Sequence, residues 1–565
     1  MSAHRDSVTE AASLVHSLSA IFRLSVYDED NIDFEKVAAV DSLTPDATEE
    51  EQCGAVESTH LLAAARSPLS VSARSSGSAS ASLSDEESGR GRRRTLGGHE
   101  RLLGDVFYSE LRSMISLSIP IVATYVLEIL PGLMSIVLVG HIQSPSQGEY
   151  LDATAMAAAF MNMFGASVGI GLATAMDTLC SQAFGAKEPQ RMGVYLQTGV
   201  LVLAVFCIIV GISFYFSTDI LRILGQPDSV SVLTGEAVRA LLPGIPFLFL
   251  YELLRKVLQA QNISAPMFFV AAAANCIHIG LGYFLVYHTS MGWIGASVAR
   301  SACNISFFSL LLPYVITSGL AKTFWTGIRL REALQGIPSF LSLGVPGMLQ
   351  LCFEWWAFEV IALICGLLPN AVESIGANAV MMNISSTVYM IYLGVSISGN
   401  VRIGNALGAG DAKRARIAAM IAMGACCFNA LLCATLLLVF HNILPSLFTH
   451  NDDIGILASE LIFVGAAFQV PDAINGAIQG VFRGQGRQNL GAKLNFVAYY
   501  LLGIPVGAAL AFWWGWGVVG IWCGMTVGLS FIALVGTVIV FRSDWCGLSE
   551  EAMDRVKKDA RACVV

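Results

Sequence analysis

From about residue 111 to 542 the sequence is a succession of long apolar stretches, each roughly 20 residues or more, parted by short polar breaks. A helix of that length crosses the hydrocarbon core of a bilayer. The apolar positions run on rather than alternate, which predicts helices in preference to the strands of a barrel. About twelve spans are predicted, near 112–141, 152–184, 192–217, 230–260, 264–287, 291–317, 336–368, 374–407, 414–442, 453–484, 490–513 and 517–541. The breaks differ in charge. Those at 142–151, 286–292, 368–373, 443–452 and 512–517 hold no Lys or Arg, and 218–229 holds only Arg222. The alternate breaks hold Lys187 and Arg191; Arg255 and Lys256; Lys322, Arg329 and Arg331; Arg402, Lys413, Arg414 and Arg416; Arg483, Arg487 and Lys493. Basic loops stay in the cytosol, so both ends of the chain are expected there, which requires an even number of spans.

The second half of this pattern repeats the first at an offset of about 221–226 residues. Leu117-Ser118-Ile119-Pro120 returns as Leu343-Gly344-Val345-Pro346, and Gly185-Ala186 with Arg191 as Gly408-Ala409 with Arg414. Lys256–Gln261 returns as Gly480–Gln485, and Glu128 falls on Glu354. Six spans per repeat give both halves one orientation. The fold expected is therefore an all-α membrane protein with twelve transmembrane helices in two six-helix lobes, residues 105–320 and 321–542. A pseudo-twofold axis along the membrane normal relates the lobes around a central cavity, as alternating access needs.

Composition sharpens this. Of 565 residues, 55% are apolar and 13% charged, too few charges to cover a water-facing surface. The net charge of −9 gives no electrostatic case for nucleic acid. Most of it belongs to residues 1–104, where 17 acids outweigh 10 bases. That Ser-rich segment is expected to be a disordered cytosolic tail, and 543–565 a short cytosolic one. Within the long tail, Glu57-Ser58-Thr59-His60-Leu61-Leu62 fits an acidic dileucine sorting signal read by adaptors. It favours a vacuolar or endolysosomal membrane, with the plasma membrane as the alternative. Arg90-Gly91-Arg92-Arg93-Arg94 can touch anionic lipid. The 13 cysteines show no CxxC spacing and do not read as a disulfide framework. No HExxH, paired helical His or nucleophile elbow points to an enzyme, a metal or a cofactor.

Acids inside a membrane are costly and so mark function. Those within the predicted spans are Glu128, Asp177, Glu252, Glu354, Glu359, Glu460 and Asp472. Glu354 and Asp472 lie inside second-half helices with no base within one turn, suited to exchanging a proton against a cation. Glu359 stands about 140° around the helix from Glu354. Glu252, Glu460 and Asp177 lie nearer helix ends, where a protonated carboxyl bonded to a neighbouring helix is an equal reading. Trp355 and Trp356 offer aromatic faces to an organic cation, though such a pair also serves packing. Pro120, Pro131, Pro346 and Pro471 permit bending beside these acids.

Several segments resemble the multidrug and toxic compound extrusion (MATE) transporters, eukaryotic branch. They are Leu351–Glu359, Val401–Asp411, Asp177–Gln182 and Gly480–Gly486, within a similarity spanning roughly 110–540. The tail's length resembles that of fungal members. The resemblance implies a V-shaped bundle exporting cationic or amphipathic compounds in exchange for protons, working as a monomer in the bilayer. It also implies that Glu354, Glu359 and Asp472 bind the proton or cation. Asn383 stands where animal transporters carry another acid, a departure from their selectivity pattern. Glu128 lies where prokaryotic proton-coupled relatives place an acid. Sodium coupling or lipid flipping remains the alternative, with a membrane-embedded enzyme or a channel less supported.

Overall fold

Each apolar run becomes a helix because only an intrasegment hydrogen-bond ladder satisfies the backbone where water is absent. The computed structural model describes the backbone of residues 84–449 and 451–562, and the body treated below begins at Leu102. Among the described residues, twelve helices are long and apolar enough to cross a membrane. They are α1 (Gly104–Gly140), α2 (Gln147–Gly185), α3 (Pro189–Tyr215), α4 (Asp228–Ala260), α5 (Ala265–His288) and α6 (Ile294–Thr317). The second set is α7 (Ile337–Cys365), α8 (Ala371–Gly408), α9 (Ala412–Phe440), α10 (Asp452–Gln485), α11 (Gln488–Phe512) and α12 (Gly517–Phe541). Each predicted span falls on one of them. Outward faces stay apolar, for example Val205, Ile208 and Ile212 on α3 and Phe428, Leu432 and Val439 on α9. Such faces suit lipid, while Trp513, Trp514 and Trp516 in the α11–α12 turn suit its interface.

Two large hydrophobic cores form, with two smaller ones around Tyr392 and Ile121. One large core joins α2–α6 with the end of α1 and the start of α7; the other joins α7–α12 with Met114 of α1. They meet along α2, which crosses α7 and, at the basic end, α8 at backbone distance. A Cβ on Gly171 would stand 2.5 Å from the Met348 Cα. At the crossing with α8, a Cβ on Gly185 would stand 2.0 Å from the Asn405 carbonyl oxygen, and one on Gly408 2.1 Å from that of Gln182. Small residues let helix backbones approach where lipid supplies no hydrophobic drive. The duplicated Gly-Ala of the two repeats thus becomes a reciprocal contact between the lobes. Toward the far end, Val139, Ala153 and Phe160 pack in the first core and Ile361, Ala377 and Val380 in the second.

The structure departs from the sequence reading in several places. Residues 545–562 are not a plain tail but an amphipathic helix, α13 (Trp545–Ala562). Its Trp545, Leu548 and Ala552 enter the second core. Ser549 donates to the Leu407 carbonyl (3.1 Å), while Arg555 reaches Gln182 (2.6 Å) and Asp559 accepts from Tyr195 (2.8 Å) in the first lobe. Apolar spacing every third or fourth residue was there to be read, but the stretch is too short and charged to register as a span. Arg255, Lys256, Arg402 and Arg483 sit within helices rather than loops. Glu460 is exposed, near the start of α10. Among the described residues ten cysteines are free, and Cys546 is disulfide-bonded. The dileucine residues Glu57, Leu61 and Leu62 lie outside the described residues.

Candidate functional site

The second lobe gathers its acids between α7, α8, α10 and α11. Glu354 is 3% exposed and accepts a hydrogen bond from Gln479 Nε2 (2.8 Å). Gln479 Oε1 in turn accepts from Arg483 (3.2 Å), so the base reaches the acid only through a neutral amide. Tyr389 of α8 lies near Glu354, as does Asn495 of α11, whose Nδ2 donates to the Gln350 carbonyl (3.0 Å). Asp472 is 4% exposed and feels Glu354 through space; among the described residues no hydrogen bond or ion pair holds its carboxylate. Two buried carboxylates in mutual repulsion, one without a partner, need a proton or a cation nearby. Tyr499 adds a buried hydroxyl without a partner, close enough to sense both acids. It sits in a π-helical turn, Val497–Gly503, an irregularity that tends to occur at functional sites.

The first lobe treats its acids differently. Arg255 bridges Glu128 (2.7 Å) and Glu252 (2.6 Å), and Tyr251 donates to Glu128 (2.7 Å). The guanidinium also lies over the Tyr125 ring at 4.6 Å. Asp177 pairs with Lys256 (2.8 Å), both side chains 2% exposed. Sequence reasoning set these bases in a cytosolic loop and so left Glu128 and Asp177 without counter-charges. The repeat relation between Glu128 and Glu354 is one of position, not of environment.

The remaining candidates scatter. Glu359 is half-buried on α7 without an ion pair among the described residues, and Trp355 is half-buried beside Glu354. Trp356 donates to the Met163 carbonyl of α2 (3.1 Å) and packs near Phe164, a contact between lobes rather than an open aromatic wall. Asn383 is exposed and donates to its own helix at Ala379 (2.8 Å). No group of three or more His, Cys, Asp or Glu able to hold a metal occurs among the described residues.

Comparison with known proteins decides the family. The MatE family model matches residues 120–284 and 346–509, one match in each half. The chain belongs to the MatE family. This MatE chain is 35% identical to multidrug and toxin extrusion protein 2 of Mus musculus over 83% of its own length and 80% of that protein. It is 33% identical to multidrug and toxin extrusion protein 1 of Homo sapiens over 79% of this chain and 77% of that one. Among solved structures, the eukaryotic MATE transporter AtDTX14 matches with TM-score 0.76 and 30% identity, over 80% of this chain and all of that one. The MATE transporter VcmN of Vibrio cholerae, in its bent form, shares the fold alone, with TM-score 0.65 and 15% identity over 80% of this chain and 99% of that one. The MatE chain is a membrane transporter, not an enzyme. None of these relatives supports the fungal likeness of the tail.

The MatE site also holds residues the sequence reading passed over: Tyr389, Asn475, Gln479, Asn495 and Tyr499. A signal existed for two of them. Asp472, Asn475 and Gln479 follow at i, i+3 and i+7, a polar stripe on one face of an otherwise apolar helix.

Proposed function

We propose that this transporter exports organic cations, xenobiotics or cationic metabolites in exchange for protons, using Glu354 and Asp472 as the shared charge. One observation carries the reading. Buried first-lobe acids are neutralised by Arg255 and Lys256, while Glu354 and Asp472 have no base in direct contact. A proton and an organic cation then compete for one pair of carboxylates. That competition supplies the differential affinity between states that alternating access requires. Gln479 positions Glu354, and Glu359 forms the edge of the same wall. Arg255 holds Glu128 in a structural cluster. The basic residues gathered at one end support a cytosolic position for that end and for both termini. The dileucine segment directs the protein to a vacuolar or endolysosomal membrane, so Leu61→Ala with Leu62→Ala should move it to the cell surface.

The reading is tested by uptake of radiolabelled tetraethylammonium into proteoliposomes against an imposed proton gradient, with sodium absent. Uptake that follows the pH gradient supports it. Uptake that requires sodium and ignores pH refutes it.

A further inference from the structure

The linker between α6 and α7, residues 318–336, carries large apolar side chains that the described residues leave uncovered. Trp325, Leu330 and Leu334 are exposed, and Ile328 is 83% exposed. The bases of the linker are Lys322, Arg329 and Arg331, and Glu332 is its one acid. Lys322 and Arg331 are exposed. Arg329, with 39% of its side chain exposed, reaches Glu332 at 3.5 Å.

The way this segment docks on α3 sets its depth. A Cβ on Gly193 would stand 2.3 Å from the Phe324 carbonyl oxygen, so the linker backbone rests on the helix there. Farther along, Gln197 donates to the Gly327 carbonyl (3.0 Å) and accepts from the Arg329 amide (2.8 Å). Thr198 donates to the Ala333 carbonyl (3.0 Å). Since α3 runs from Pro189 to Tyr215, Gln197 stands about 12 Å inside its basic end and about 27 Å from its other end. Tyr215 is exposed there and suits the opposite interface. A hydrocarbon core of about 30 Å measured from Tyr215 reaches the level of Gln197, and helix tilt only sets that level deeper. Val200, one turn farther in, already turns an apolar side chain outward, as do Val205 and Ile208. The linker thus runs along the boundary between acyl chains and headgroups. Gln197 accordingly commits both ends of its amide to linker backbone, as a polar group at that depth must.

We propose that residues 318–336 form a seat for anionic phospholipid in the leaflet at the basic end. Trp325, Ile328, Leu330 and Leu334 enter the acyl boundary, and Lys322, Arg329 and Arg331 take the headgroups. Leu330 and Leu334 stand one turn apart on a short helix, Leu330–Gln335, whose Ala333 faces α3. Three bases against one acid give the segment the charge that anionic headgroups complement. Long basic side chains keep their stems in the boundary while their charged ends reach the phosphates. The docking bonds go to α3 and, from Thr323, to Gln261 just past α4, both in the first lobe. The seat therefore ties the first lobe to the leaflet, whatever substrate the second lobe exchanges.

Trp325 reports its own surroundings. The full-length protein is placed in phosphatidylcholine vesicles containing a small fraction of phosphatidylserine brominated high on its acyl chain. Brominated phosphatidylcholine at the same fraction is the control, and subtracting the emission of Trp325→Phe isolates the Trp325 signal. That signal should be quenched several-fold more by the brominated phosphatidylserine than by the control lipid, and little by aqueous acrylamide. Lys322→Gln, Arg329→Gln and Arg331→Gln together should remove the preference and leave quenching by the neutral lipid. Should that triple variant fail to fold, Lys322→Gln alone, at an exposed position, should lower the preference. Quenching by acrylamide without quenching by either lipid would put the segment in water. Equal quenching by the two lipids, or a preference that the folded variants retain in full, would take the anionic headgroup away from these bases. Either result overturns the proposal.

Discussion

The reciprocal glycines at the basic end make the seal between lobes sensitive to a single methyl group. In Gly185→Ala the new Cβ would lie 2.0 Å from the Asn405 oxygen, about 1.4 Å short of ordinary contact. That oxygen is helix backbone and cannot rotate away, so α2 and α8 must part. Overpacking of this kind costs about 1–3 kcal/mol. The cost falls on the sealed form alone, because the parted form has no such contact. The equilibrium should therefore shift toward the form open at the basic end by roughly 5- to 150-fold. Gly408→Ala acts on the same crossing from the other side, with its Cβ 2.1 Å from the Gln182 oxygen. Spin labels on Glu188→Cys and Lys413→Cys, both exposed, report the distance between lobes there. The wild type should show mainly the short distance, and each glycine variant a second, longer population. Folded variants with the wild-type distribution would refute the reasoning.

Three further outcomes follow from the packing. Lys256→Met leaves Asp177 charged and unpaired in the core, which should cost about 3–5 kcal/mol. Pairing it with Asp177→Leu should recover most of that, as read by thermal unfolding in detergent; a double variant no better than the single would contradict the pairing argument. Pro131 cannot donate to the Leu127 carbonyl, and Asn275 of α5 does so instead at 2.9 Å. Asn275→Leu should therefore lose about 1–2 kcal/mol, and much less in a Pro131→Ala background where the helix restores its own bond; an unchanged loss in that background would count against this role. Tyr195→Phe removes the hydroxyl that holds Asp559, worth about 0.5–1.5 kcal/mol, and should speed hydrogen exchange in 545–562. Unchanged exchange there would mean that Tyr195 does not secure α13.

The span count, the repeat and the second-lobe acids were all legible in the sequence, because each rests on local pattern: run length, in-register matches, an acid in an apolar run. The environment of an acid was not legible. Glu128 and Glu354 occupy matching positions, yet Glu128 meets Arg255, a residue 127 positions away, and Glu354 meets Gln479, 125 away. Only the packing of α1 on α4 and of α7 on α10 decides which acid finds a base. Trp356 illustrates the same limit, since its neighbour Met163 belongs to the other lobe.

The central claim is that proton and substrate share the carboxylates of Glu354 and Asp472. Proton release on adding an organic cation to the detergent-purified protein, followed in weak buffer with a pH indicator, measures that competition directly. The wild type should release protons as the cation binds, and Glu354→Gln combined with Asp472→Asn should release none. Undiminished release from the folded double variant would place the exchanging charge elsewhere and contradict the account.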